Sequence, residues 1–135
     1  MSRSIEGRTE NRRILLPIRI LRASPSTEIF GLEVLALLDT GSTTTGISDA
    51  VAQALSLRGR GKRPIGSVQG EGQAERYAFR VAVMEKGSTL PFIFNDLIGF
   101  ELVTGFAFQA LIGMDILSQC DFSMERGGRW SLAFG

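Results

Sequence analysis

Asp39 is placed to do chemistry by the residues on either side of it. Leu35-Ala36-Leu37-Leu38 is an apolar run that ends abruptly on the Asp39 carboxylate, and Thr40, Gly41 and Ser42 follow at once. A strand that drives inward and stops on an acid leaves that acid half-buried, which is costly unless hydrogen-bond donors surround it. The hydroxyls of Thr40 and Ser42 and nearby backbone N–H groups could supply those donors, and Gly41 lets the backbone come close. A carboxylate held in this way can take a proton from water or give one to a leaving group. The plainer reading of the same residues is a turn after a strand, since Asp, Gly and Ser all favour turns.

Other routes to hydrolysis are closed by composition. The 135 residues contain no histidine, which removes Ser-His-Asp and Cys-His mechanisms and the commonest transition-metal ligand. Any hydrolase built from this chain must move protons with carboxylates. The single cysteine, Cys120, can form no internal disulfide and offers no thiolate cluster for zinc. Its neighbours Leu117 and Phe122 suggest a buried, inert thiol. No cofactor or metal is expected. A formal net charge of +1 supplies no field to attract nucleic acid or an anionic membrane. Leu90 to Leu117 is rich in apolar residues, but Asp96, Glu101 and Asp115 interrupt it, so no continuous membrane-spanning helix is expected. With no signal core at the N-terminus, a cytoplasmic location is the default expectation.

The elements that must position Asp39 are legible as strands. A chain of this length forms one domain with a core of its own. Ile5-Glu6-Gly7-Arg8 matches a processing-protease recognition sequence, so residues 1–12 are expected to stand outside the fold and residues 13–135 to form the domain. Ile14 to Leu21 reads as a strand with one free side, because Pro17 cannot donate to a ladder. Glu28 to Leu38 reads as a strand burying itself toward Asp39. Ser48 is placed to cap a short helix through Val51 and Leu55, with Asp49 in its first turn. The basic run from Arg58 to Arg63 is broken by Gly59 and Gly61 and reads as a solvated loop. Tyr77, Phe79, Val81 and Val83 alternate with Ala78, Arg80 and Ala82 at a period of two. With the segment before them they read as a hairpin turning at Gly70-Glu71-Gly72. Leu90 to Phe94, Glu101 to Phe108 and Trp130 to Phe134 complete the expected strands. Short strands with turn signals between them argue for an all-β closed or sandwich-like fold.

Two segments carry a resemblance to a known family. The Asp39-Thr40-Gly41-Ser42 run and the downstream Ala110-Leu111-Ile112-Gly113-Met114-Asp115-Ile116-Leu117, in that order, resemble the marks of single-domain, retroviral-type (retropepsin-like) aspartic proteases. The likeness extends from Arg13 to Phe134. It implies a retropepsin-like closed β-barrel with one or two short helices, forming half of a two-fold dimer. It makes Asp39 the catalytic carboxylate, with Thr40 and Gly41 completing the catalytic loop. Ser42 would bring its hydroxyl to the carboxylates or the substrate backbone. The hairpin with Val68, Gln69 and Gly70 would be the flap over an extended peptide or protein substrate. Ile47, Leu111 and Ile112 would join it in lining the substrate site.

There is no second Asp-Thr-Gly in the chain. Amide hydrolysis by carboxylates alone needs one group to accept a proton and another to donate one, and two acids in contact do this by sharing a proton. The second acid is therefore expected from another copy, which makes the active species a homodimer with Asp39 at its two-fold axis. The alternative is a catalytically silent retropepsin-like module that dimerises or binds peptides. Retroviral enzymes often carry an acid soon after the catalytic glycine and an arginine after the apolar-apolar-Gly segment, which pair. Here Thr43 and Thr44 stand at the first place and Met114 and Asp115 at the second, so that salt bridge is not expected.

Overall fold

A computed structural model describes residues 3–25, 27–67 and 70–135. Ten strands and two short helices follow one another. They are β1 (Arg3–Arg8), β2 (Leu15–Arg22), β3 (Leu32–Leu38), β4 (Gly46–Ile47), α1 (Asp49–Ala54), β5 (Lys62–Ser67) and β6 (Gly70–Val83). After them come β7 (Phe92–Glu101), β8 (Ala110–Ile112), α2 (Met114–Leu117), β9 (Asp121–Met124) and β10 (Arg129–Phe134).

Six strands close into a barrel in the order β2-β3-β8-β4-β7-β6, and β6 returns to pair with β2. Closure removes exposed sheet edges, and the expected all-β barrel with two short helices is what forms. β5 extends the sheet beyond β6 as the other arm of a hairpin. Alternation along β6 sends Tyr77, Phe79, Val81 and Val83 inward, where they meet Ile18 and Ile20 of β2 and Ile47, Val51, Ile112 and Ile116. Pro17 lies opposite Leu35 of β3, while pairing of β2 with β6 begins only at Arg19. Its missing N–H therefore breaks no ladder. Ser48 caps α1 as expected, its Oγ accepting from Val51 N at 3.2 Å. Cys120 is half-buried, and burial followed by the nearby Asp121 pushes its thiol up to about 11.

Several boundaries differ from the sequence reading. Arg3–Arg8 does not stand apart, because β1 pairs along its whole length with β10. Trp130 explains the fit, since its buried indole lies where a Cβ on Gly7 would come within 2.5 Å. Only glycine admits that approach. β1, β10 and β9 make a separate three-stranded sheet whose Trp130, Leu132 and Phe134 join the barrel core. The hairpin turns earlier than expected. Ser67 pairs with Gly70, and Gly70–Gly72 already belong to β6. β7 runs on through Asn95-Asp96, where the first of the expected strands was to end at Phe94. The polar pair forms a bulge opposite Arg80, with Asp96 at φ 58, a conformation that Asp tolerates better than most residues. The expected strand through Phe108 is a loop, turned at Gly105 with φ +89.

Candidate active site

β3 delivers Asp39 to the end of the barrel, and β8 lies parallel beside it with Leu38 opposite Ile112. Asp39 N donates to Ile112 O at 2.9 Å, so the carboxylate leaves the sheet from a fixed backbone. Gly41 N donates to Asp39 Oδ1 at 2.8 Å, and Ser42 N to Asp39 O at 3.2 Å. The chain therefore folds tightly round its own acid. Asp39 is half-buried, while Thr40 and Gly41 are exposed.

The expected donors divide. Gly41 supplies its backbone N–H, but the Ser42 hydroxyl donates to Thr44 O at 2.8 Å and braces the loop from within. Ile47 and Ile112 are enclosed, at 0% and 1% exposure. In the single chain neither presents surface of its own as a subsite wall. They support the loop from the core instead. Leu111 points to the opposite face of β8 from Ile112 and stands level with Leu37, but little of it is open. Gly70 opens β6, and Val68 and Gln69 lie outside the described residues.

Beneath the loop runs Gly113, where a Cβ would meet Thr44 O at 2.5 Å and Ser42 O at 2.9 Å. The start of α2 is stitched to the same loop, with Met114 N donating to Ser42 O at 2.8 Å and Asp115 N to Thr43 O at 3.1 Å. Asp115 then reaches across. Its Oδ2 accepts from Thr45 N at 2.9 Å, and its Oδ1 accepts from Thr45 Oγ1 at 2.7 Å and Ile116 N at 2.9 Å. Thr45 is fully buried, and its Oγ1 also accepts from Gly113 N at 3.2 Å. This carboxylate–threonine brace ties the strand after the Asp39 loop to the segment beneath it. Sequence reasoning marked Asp115 only as a departure from the retroviral pattern and passed over Thr45. The available signal was an acid two residues beyond Gly113 with no basic residue in the catalytic loop to pair with it.

Two surface concavities lie elsewhere. One, of about 590 Å3, sits over the β6–β7 bulge between Ala23, Ala78 and Asp96, and one of about 180 Å3 lies among Pro17, Glu33 and Met84. Among the described residues no three His, Cys, Asp or Glu side chains converge on a metal position, and no helix is long and apolar enough to cross a membrane.

A family-wide sequence profile, described as "gag-polyprotein putative aspartyl protease", matches residues 26–119. No curated protein sequence matches the chain. Among solved structures it is similar to a retropepsin-like aspartic protease from Rickettsia conorii, with TM-score 0.69 and 13% identity over 97% of this chain and 90% of that one. It is also similar to EIAV protease complexed with the inhibitor HBY-793, with TM-score 0.46 and 22% identity over 82% of this chain and 91% of that one. The profile spans well over half of the sequence and both segments around Asp39 and Gly113, and the chain belongs to the gag-polyprotein, retropepsin-like family of aspartyl proteases.

Proposed function

We propose that two copies of this chain form an aspartic endopeptidase that hydrolyses peptide bonds with water held between the two Asp39 carboxylates. The observation that carries this reading is Asp39 itself, an acid on an exposed loop with Gly41 N on one oxygen and a loop fixed from below by Gly113 and Asp115. Asp115, the other acid of the two matched segments, has both oxygens occupied by Thr45 and Ile116. The second working carboxylate therefore comes from the partner copy.

Two carboxylates in contact share one proton, because like charges so close do not both ionise. In the reaction the ionised Asp39 takes a proton from water as its oxygen attacks the scissile carbonyl. The protonated Asp39 of the other copy donates to the developing oxyanion. The proton taken from water then goes to the departing amine as the C–N bond breaks. A hydroxyl of the tetrahedral diol returns its proton to the Asp39 of the other copy as the product carboxyl forms, which restores the singly protonated dyad. Thr40, exposed on the loop, meets its counterpart across the axis in this reading and holds the two loops in register. The substrate lies extended and bonds like an added strand, beneath the β5–β6 hairpin.

Sedimentation equilibrium over a dilution series, with cleavage of an unstructured protein measured on the same samples, tests the proposal. Activity per chain that follows the dimer fraction, and vanishes in Asp39→Asn, is the expected result. A dimer that cleaves nothing at any pH sinks the enzymatic reading in favour of a silent peptide-binding module. A monomer that cleaves sinks the shared site.

A further inference from the structure

Arg13 lies just before β2, where the backbone runs beside the end of β3. Leu15 pairs with Leu37, and Ile14 O accepts from Leu38 N at 3.0 Å. The same antiparallel register brings Arg13 alongside Asp39. Its guanidinium carbon stands over the Phe108 ring, 5.6 Å from the centroid. Phe108 is itself anchored, two residues before the start of β8. Gln109 O accepts from Ser48 N at 2.9 Å, and Ala110 pairs with both Ala36 and Ile47. Phe106 packs on the Phe108 ring with centroids 6.2 Å apart. A cation is therefore seated on an aromatic face, and it is carried by a backbone whose register runs beside Asp39.

What this cation lacks is an anion. Arg13 makes no ion pair among the described residues, and Glu10 meets it through a backbone bridge. Thr43 and Thr44 supply no acid in the loop, and the Asp115 oxygens are committed to Thr45 and Ile116. An aromatic face beneath a guanidinium holds its plane while leaving the N–H edge open, and that edge matches a carboxylate with two parallel hydrogen bonds.

We propose that Arg13, seated on Phe108, is a specificity-determining residue that selects substrates carrying a carboxylate side chain close to the scissile bond. The inference rests on Asp39 being the reacting group. An extended substrate advances about 3.3 Å per residue, so the reach of an arginine puts the acid roughly two to four residues from the cut.

The test offers a library of unstructured decapeptides to two proteins, scoring cleavage by the wild-type chain and retention by Asp39→Asn with the same mass-spectrometric readout. Asp and Glu should be enriched about fivefold at one position, the scale of a single exposed ion pair, and the enrichment should fade as salt is raised. It should disappear in Arg13→Gln, fall part-way in Arg13→Lys and persist in Arg12→Gln, which alters a neighbouring exposed arginine. Cleavage or retention without acid enrichment, or enrichment that survives Arg13→Gln, overturns this inference and leaves the protease reading standing. Neither cleavage nor retention overturns both.

Discussion

Asp39 takes one backbone donor from its own loop, and the geometry of that loop depends on residues that never meet a substrate. Asp115 is the first of these. Truncation in Asp115→Ala strips three donors of their acceptor, including both donors of the buried Thr45. It should lower stability by roughly 2–3 kcal/mol, read as a shift in denaturant midpoint, with Asp115→Asn recovering part of the loss. Gly113→Ala forces a methyl group against two backbone carbonyls, Thr44 O and Ser42 O, which cannot swing aside as a side chain would. Activity should fall further than stability, because the displaced atoms belong to the Asp39 loop, and the ratio of kcat loss to midpoint shift checks this. Tyr77 gives a pH-dependent readout. Burial, and then the Glu101 carboxylate that accepts its hydroxyl at 3.2 Å, push it up to about 12 from the usual 10.0. The folded chain thus holds this proton more tightly than the unfolded one. Its contribution to stability is complete below about pH 10 and is lost as pH rises through about 12. Tyr77 is the sole tyrosine, so phenolate absorbance should titrate near 12 in the native protein and near 10 in denaturant.

At the scale of elements, the site is a crossing in which β8 slides between β3 and β4. β8 runs parallel to the first and antiparallel to the second. The abrupt end of Leu35–Leu38 on Asp39 made β3 legible, and alternation made the inward face of β6 legible. The three residues of β8 have no period of their own, so they were readable only through resemblance. Asn95-Asp96 misled for a physical reason. Two polar residues in an apolar run signal a break, yet a bulge absorbs them and keeps the strand continuous past Arg80. β1 was missed because Ile5-Glu6-Gly7-Arg8 matches a processing-protease recognition sequence, which set it outside the expected fold. Its partner β10 lies at the far end of the sequence, beyond any local signal. Removal of residues 1–8 should uncover Trp130, the only tryptophan, giving a red-shifted emission and a lower Tm. Gly7→Val, which drives a side chain into the indole, should reproduce the shift in milder form.

At the scale of the whole molecule, one chain brings one available acid to the loop, and the proposed chemistry requires two. Mixing wild-type and Asp39→Asn chains in equal amounts tests this directly. If both acids are needed, random pairing leaves about a quarter of the activity of the same amount of wild-type chain, against about one half for a site complete within a single chain. The sequence by itself determined an all-β class, the place of Asp39 at a strand end and the lack of any histidine mechanism. Each of these follows from local pattern or from composition, which act on a residue without reference to distant partners. The tertiary structure decided the rest. It turned Ile47 and Ile112 into enclosed supports, recruited Asp115 and Thr45 as the brace of the loop, paired the first strand with the last and set Arg13 on Phe108 beside the acid. Those outcomes rest on contacts between residues tens of positions apart in the chain. Closure of the barrel brings such residues together, and no short window of sequence contains both members of any pair.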